Sequence, residues 1–422
     1  MNFIKFIDKK IVSHAFLFTV FNIIEKAIPF LILPIITRIL PKNEIGLFIL
    51  YQTIIEILIP IVTFNIDSAI LLKYYKLKES DFSGYFSNGI LVFTAVYLLY
   101  LLFSFLLGSN LSNFLSFPKE GLFYASAIIF FRFYSQLMQN ILRVKYKVFH
   151  YGYFTIFISL IKYSSGLILI TLFDHNWVGL LQGNLISYFL AFMISLYYFY
   201  HNKLITYEIL TTNLKSYFKL GFPLTLHKSG LWLGNTANQI IIANKLGPSS
   251  NASYGIGSTF SVIISVIEDA INKSFVPHLY DKLISNKIEI KKEIVKINYI
   301  LYIVIISLSI IMAVIGYNFI DLIFGKEYLD TRIFIYPLVF SSLFKGLYKI
   351  HINYIFFKEK MFTITKITLF TGILNLILSI FFINYFGLLG AAYSLLITSL
   401  IQYLLAFYVG NKLIPLPWFN FN

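Results

Sequence analysis

The 422-residue chain contains no cysteine, which excludes structural disulfides and thiolate metal sites. Charged residues make up only 13% of it, against roughly 25% in a soluble domain, too few to cover a water-facing surface. Acids are scarcer still: 19 Asp and Glu stand against 34 Lys and Arg. Catalytic signatures are missing as well. The sequence has no phosphate-cradling Walker loop, no His-Glu-x-x-His, no cluster of metal ligands and no nucleophilic Ser elbow. These absences point away from an enzyme, from a resident metal or cofactor, and from ATP as the source of work.

What remains is apolar. Hydrophobic residues are 58% of the chain and the mean hydropathy is +0.77. A bilayer core roughly 30 Å thick needs about 20 apolar residues per helix, and such stretches recur from end to end. Charges and turn residues divide them into expected spans at 12–37, 46–72, 84–107, 121–142, 151–173, 177–200, 217–244, 253–280, 297–320, 332–357, 362–383 and 387–411. The apolar run after the basic N-terminus is too long for a signal-peptide core, so it reads as an uncleaved first helix.

The net charge of +15 would suggest nucleic acid in a soluble protein. Here the basic residues lie in alternate short loops, where membrane topology explains them. One set of loops holds Lys5, Lys9, Lys10, Lys73, Lys76, Lys78, Arg143, Lys145, Lys147, Lys203, Lys215 and Lys219, and continues through Lys282, Lys287, Lys291, Lys292, Lys296, Lys358, Lys360, Lys366 and Lys412. The other holds only Arg38, Lys42, Lys119, Lys245, Lys326 and Arg332. The positive-inside bias therefore places both termini in the cytoplasm of an inner-membrane protein. No loop of the sparse set is longer than roughly 15 residues, too short for a folded outer domain.

A faint duplication runs through the chain. Leu40-Pro41-Lys42-Asn43-Glu44-Ile45-Gly46-Leu47-Phe48 and Leu246-Gly247-Pro248-Ser249-Ser250-Asn251-Ala252-Ser253-Tyr254 link corresponding spans. Val178-Gly179-Leu180-Leu181-Gln182-Gly183 and Phe386-Gly387-Leu388-Leu389-Gly390-Ala391 open the sixth and twelfth spans. Both pairs are offset by six helices, which preserves membrane orientation. The expected architecture is an all-α membrane protein of about twelve transmembrane helices in two six-helix lobes, related by a pseudo-two-fold axis along the membrane normal. The lobes are expected at 1–200 and 217–422, joined by a cytoplasmic linker at 201–216.

These turns resemble the polysaccharide transporter branch of the multidrug/oligosaccharidyl-lipid/polysaccharide superfamily, whose flippases show an Arg-x-Leu-Gly-Pro…Gly-x-Tyr-like turn after the first helix. Here Arg38-Ile39-Leu40-Pro41 leads to Gly46-Leu47-Phe48, and the second copy, Lys245-Leu246-Gly247-Pro248 to Tyr254, keeps the Gly-Pro. Val276-Pro277-His278-Leu279-Tyr280 is also similar to the family. Asn65 departs from it, standing where a Gly is expected near the end of the second span. The resemblance implies a MATE-like two-lobed fold and a polyprenyl-diphosphate-linked oligosaccharide, such as an O-antigen or capsule repeat unit, as cargo.

Charges inside the expected spans come closest to mechanism, since a midplane charge costs about 2.5–3.5 kcal/mol on insertion scales. Arg132, Lys162, Lys228, Lys345, Lys349 and Lys26 are the candidates for a cationic cavity that receives a diphosphate. Arg offers a planar fork and Lys a mobile point charge. Lys162 and Lys228 lie near expected span ends, where snorkelling is the alternative. Lys345 and Lys349 are one turn apart and share a face. Asp67, Glu268 and Asp269 either bind a coupling cation, H+ or Na+, or pair with Arg132 or Lys273. Glu25 is a further candidate for the coupling cation or, next to Lys26, one member of a local pair. Pro29 and Pro34 in the first span are candidate hinge residues.

Two other readings are compatible with a polytopic chain. A drug or cation antiporter of the same fold needs an acid-dominated cavity, which the basic excess disfavours. A membrane glycan polymerase or acyltransferase would carry a long outer loop, which is missing here. A separate polymerase is the expected partner of a flippase. Nucleic acid is not.

Overall fold

The computed structural model describes residues 9–74, 77–206, 211–284 and 288–418. Lys5, Lys76 and Lys287 of the basic loops, and residues 207–210 of the expected linker, lie outside them. The described chain is helical, with no strand among these residues. The helices are α1 (Lys9–Ile39), α2 (Lys42–Val62), α3 (Ile66–Tyr74), α4 (Glu79–Leu115), α5 (Lys119–Val144), α6 (Val148–Leu172) and α7 (Val178–His201). There follow α8 (Thr211–Asn235), α9 (Asn238–Leu246), α10 (Pro248–Ile284), α11 (Ile288–Phe324), α12 (Arg332–Phe357) and α13 (Met361–Leu413), with a short 3-10 turn at Lys326–Thr331. The chain divides into two compact units, Met1–Ser229 and Gly230–Asn422.

Among the described residues nine helices are long and apolar enough to cross a membrane. α13 contains two of the expected spans. It bends at Gly387, which adopts φ 57°, a value that a residue with a Cβ reaches only at a cost. Ser379 bonds Ser394 and Thr398 bonds Asn375, pairs symmetric about Gly387, so the two halves lie antiparallel. α5 carries Arg132 and Arg143 and the broken α8–α9 carries Lys219 and Lys228. These charges lower their hydropathy while their lengths still suffice. Together these helices give the about twelve crossings expected from the sequence.

Several helices outrun the expected spans. α4, α10 and α11 have 37 residues each, about 55 Å of helix against a core of about 30 Å. Hydropathy marks only the lipid-facing part of such a helix. Both pairs of duplicated turns fall at tight connections. Leu40 and Pro41 separate α1 from α2, and Gly247, at φ 85°, separates α9 from α10. Residues 173–177 separate α6 from α7, and Gly387 serves the corresponding role in α13.

Two spans read as continuous are interrupted. The second stops at Val62, two residues past Pro60, and the chain turns through Phe64 (φ 48°) and Asn65 (φ 49°). The family's expected glycine and the observed Asn65 thus answer one demand, since Asn tolerates left-handed backbone better than most residues. The side chain of Asn65 donates to the Pro60 carbonyl (3.4 Å) and to Thr225 Oγ1 (2.9 Å), and Thr225 itself donates to Pro60 O (3.2 Å). α8 approaches through Gly221, where a Cβ would stand 2.3 Å from the Phe64 carbonyl.

The seventh span breaks between Asn235 and Asn238. Asn238 is fully buried. Its amide donates to Ala391 O (3.1 Å), and its carbonyl accepts from Asn375 (2.9 Å) and Ser379 (2.7 Å). Asn375 also donates to Leu233 O (3.1 Å), a carbonyl freed by the break. By contrast α1 continues through Pro29 and Pro34 as one helix, with Thr37 and Arg38 donating to the Pro34 carbonyl.

The first unit is packed largely by aromatic rings. Phe93 and Phe133 stack at 3.7 Å, and Phe86 meets Phe199 edge-on at 4.9 Å. In the second unit the chain after α13 returns so that Trp418 packs on Tyr299, Tyr302 and Phe407.

Candidate functional site

Each unit brings together charged side chains from several of its helices, some of them, such as Lys26 and Glu56, exposed. In the first unit, Arg132 projects from the middle of α5 with its guanidinium carbon 5.7 Å from the ring centre of Tyr188 on α7. Such a cation–π contact holds a charge in place without neutralising it. Lys162 on α6 lies with its ammonium 5.0 Å from the Tyr163 ring and is within electrostatic range of Arg132, Glu25 and Glu56. Glu25 in turn feels Lys26, Arg132, Lys162 and Arg143. Five helices therefore contribute to one cluster: Glu25 and Lys26 from α1, Glu56 from α2, Arg132 from α5, Lys162 from α6 and Tyr188 from α7.

The position of Lys162 is set by close backbone approach. A Cβ on Gly183 of α7 would lie 2.7 Å from the Lys162 carbonyl and 2.5 Å from Gly166 N. A larger residue there would force α6 and α7 apart. The cluster is less uniformly cationic than the sequence suggests, because Glu25 of α1 and Glu56 of α2 lie within electrostatic range of its bases. Lys26 interacts with more than the solvent. Lys228, near the end of α8, is exposed beside His227. Asp67, in the first turn of α3, accepts from Asn140 on α5 (3.1 Å) and from Ser68 (3.4 Å). Asn140 takes the place that an ion pair with Arg132 would have filled.

In the second unit the acids Glu268 and Asp269 of α10 face Lys345 and Lys349 of α12. Lys349 Nζ reaches Asp269 Oδ1 (2.8 Å), Ser265 Oγ (3.1 Å) and Glu268 Oε2 (3.3 Å), which occupies its three donors. Lys349 is thus not a free cation of the kind the sequence pattern implies. The reason is helical period: positions 265, 268 and 269 share a face of α10, while 345 and 349 share a face of α12. Lys273 and Arg132, the partners considered for these acids, are replaced by Lys349. Lys345, one turn away, remains within electrostatic range of Lys349 and Glu268.

Glu268 is 2% exposed and its second oxygen, Oε1, is without a hydrogen-bond partner. That oxygen fills the notch over Gly346, where a Cβ would stand 2.2 Å from it. Gly346 and Tyr188 escape a search for charges, since one contributes the absence of a side chain and the other an apolar ring. The Asn238, Asn375 and Ser379 knot escapes it for the same reason: its members are neutral.

Substituting Gly346 with Val should displace Glu268 and lower stability by about 1–3 kcal/mol, read as a lower melting midpoint in detergent. Adding Glu268→Ala should recover part of that loss. Additive losses in the double variant would show that the two residues do not compete for one space.

A family model described as polysaccharide biosynthesis protein matches residues 11–283. The Lsg locus putative protein 1 of Haemophilus influenzae is 20% identical over 400 residues, covering 90% of this chain and 95% of that protein. An uncharacterized membrane protein of the same organism is 19% identical over 392 residues, covering 90% of each. Among solved structures, the lipid II flippase MurJ in an inward closed conformation superposes with a TM-score of 0.76 at 15% identity, over 93% of this chain and 87% of that one. An inward-facing MATE family multidrug transporter of the MOP superfamily gives 0.69 at 13% identity, over 94% of each chain. Identities this low speak for fold alone. With the family model spanning well over half of the sequence, this multi-pass, all-helical membrane chain belongs to the polysaccharide biosynthesis protein family and has the MATE-type transporter fold.

Proposed function

We propose that the protein is a flippase that carries a polyprenyl-diphosphate-linked oligosaccharide repeat unit from the cytoplasmic to the outer leaflet of the inner membrane by alternating access. The observation that carries this reading is the placement of Arg132 and Lys162 within one bundle, each held against a tyrosine ring. Cations kept in position by aromatic faces stay available to an anionic headgroup, and the same rings suit sugar faces. Glu25 and Glu56 compensate the bases while the site is empty, and the diphosphate displaces them. An inside-negative potential favours outward passage of an anion by about 2.3 kcal/mol per charge per 100 mV, so export proceeds without ATP. Lys26 and Lys228 are further contacts for the headgroup, Pro29 and Pro34 the hinge of α1, and a separate polymerase the recipient of the product.

Replacing Arg132 with Ala should reduce export about 10–100-fold, the range expected when a charge-assisted hydrogen bond is lost, at unchanged membrane abundance. Lys in its place should retain part of the activity. Surface glycan per flippase molecule is the measurement, and normal export by the Ala variant would overturn the assignment.

The buried, half-satisfied carboxylate of Glu268 favours a coupling role in the second unit. H+ or Na+ arriving at Oε1 would loosen the hold on Lys349, which would keep only Asp269, and would remove the acid within range of Lys345. Glu268→Gln, which leaves Lys349 its pair with Asp269, should be less stable yet still inserted, while export loses its dependence on an imposed proton or sodium gradient. Retained gradient dependence in reconstituted vesicles would exclude Glu268 as the coupling group.

Because the chain lacks cysteine, its orientation can be read without background. An impermeant maleimide should label Lys326→Cys in intact cells, and Lys203→Cys only after the membrane is opened. The reverse pattern would invert the proposed direction of transport.

A further inference from the structure

At one end of the second unit, the close of α10, the first turns of α11, the end of α12 and the chain leaving α13 enclose a pocket of about 500 Å³. Its floor is apolar, formed by Leu283, Ile294 and Ile414, all buried in the hydrophobic core of that unit. Among the described residues its charged lining consists of Lys282, Lys291 and Lys358, with no carboxylate. Lys282 pairs with Glu293, which stands outside the lining and is 54% exposed. Lys358 lies with its ammonium 5.9 Å from the Phe357 ring.

Lys282 has Glu293 as its counter-ion, and Lys291 and Lys358 bring further positive charge to the same cavity. The surrounding sequence is basic on balance: Asp281, Glu289, Glu293 and Glu359 are outnumbered by Lys282, Lys291, Lys292, Lys296, Lys358, Lys360 and Lys412. The volume is within the range of about 300–1,000 Å³ typical of organic ligands and far above the roughly 30 Å³ of a water. The apolar floor also asks for more than a bare ion. Ile284 in the lining, and Ile288 and Phe362 near it in the chain, are large apolar residues with exposed side chains. Exposed apolar surface beside a basic pocket is the pattern suited to the headgroup level of a bilayer.

We propose that this pocket binds the phosphate-ester headgroup of an acidic phospholipid from the adjacent leaflet, at a site separate from the Arg132 cluster. The lysines take the phosphate, and the apolar floor takes the glycerol and the first methylenes of the chains. Basic pockets between transmembrane helices are suited to such headgroups. A bound lipid would tie the α10–α11 ends to those of α12 and α13.

The test uses the full-length protein in detergent and in nanodiscs, with phosphatidylglycerol, phosphatidylcholine and inorganic phosphate as probes. Native mass spectrometry should show retained phosphatidylglycerol, with a higher melting midpoint than in phosphatidylcholine. The triple variant Lys282→Ala, Lys291→Ala, Lys358→Ala should weaken that binding at least about tenfold, and the matching triple Arg variant should keep it. Equal retention by wild type and the Ala variant would overturn the proposal. Equal protection by inorganic phosphate at the same concentration would overturn the lipid as occupant. Should the Ala variant fail to fold, salt titration of the wild type decides: binding should fall as ionic strength rises, and salt-independent retention would refute the site.

Discussion

Within a bilayer every backbone carbonyl and amide must find its partner inside the protein, and much of this structure follows from how that demand is met where helices break. At the end of α2 the Pro60 carbonyl, freed where the helix stops, accepts from Asn65 and Thr225. Between α8 and α9 the demand is met by Asn375, which reaches the Leu233 carbonyl while holding Asn238. Both breaks are thus fastened by side chains from other helices. Each fastening also fixes which faces of those helices meet.

The same logic governs the charges. Arg132 rests on a ring, whereas Lys349 is enclosed by two carboxylates and a hydroxyl. The first arrangement keeps a cation available, and the second stores one. Removing one partner from a buried pair leaves an uncompensated charge, at a cost of about 3–5 kcal/mol. A network of this kind is therefore sensitive to any added proton or cation. The two units answer the shortage of acids differently: one shares Glu25 and Glu56 among several bases, and the other concentrates Glu268 and Asp269 on a single lysine.

Much of the fold was legible in the sequence. The expected spans correspond to α1–α13, the duplicated turns fall at tight connections, and Asn65, noted as a departure from its family, occupies a left-handed position. The two interruptions were not legible, because Pro60 alone does not distinguish a kink from a break and Asn235-Thr236-Ala237-Asn238 contains no proline at all. The candidate site was legible in part. Arg132 and Lys162 do share a cluster, but its tyrosines, its carboxylates and the notch of Gly346 are not visible to a search for basic residues.

Hydropathy and loop charge are sums over neighbouring residues, so the sequence by itself determined that the chain is a helical membrane protein, roughly where it crosses, and which turns mark its family. Partners are decided between helices far apart in the chain: Glu268 meets Lys349 across 81 positions and Asn238 meets Asn375 across 137. Whether two such residues meet depends on the rotation of each helix about its axis. Packing sets that rotation, so only the tertiary structure could assign Lys349 to an acid pair and Arg132 to a ring.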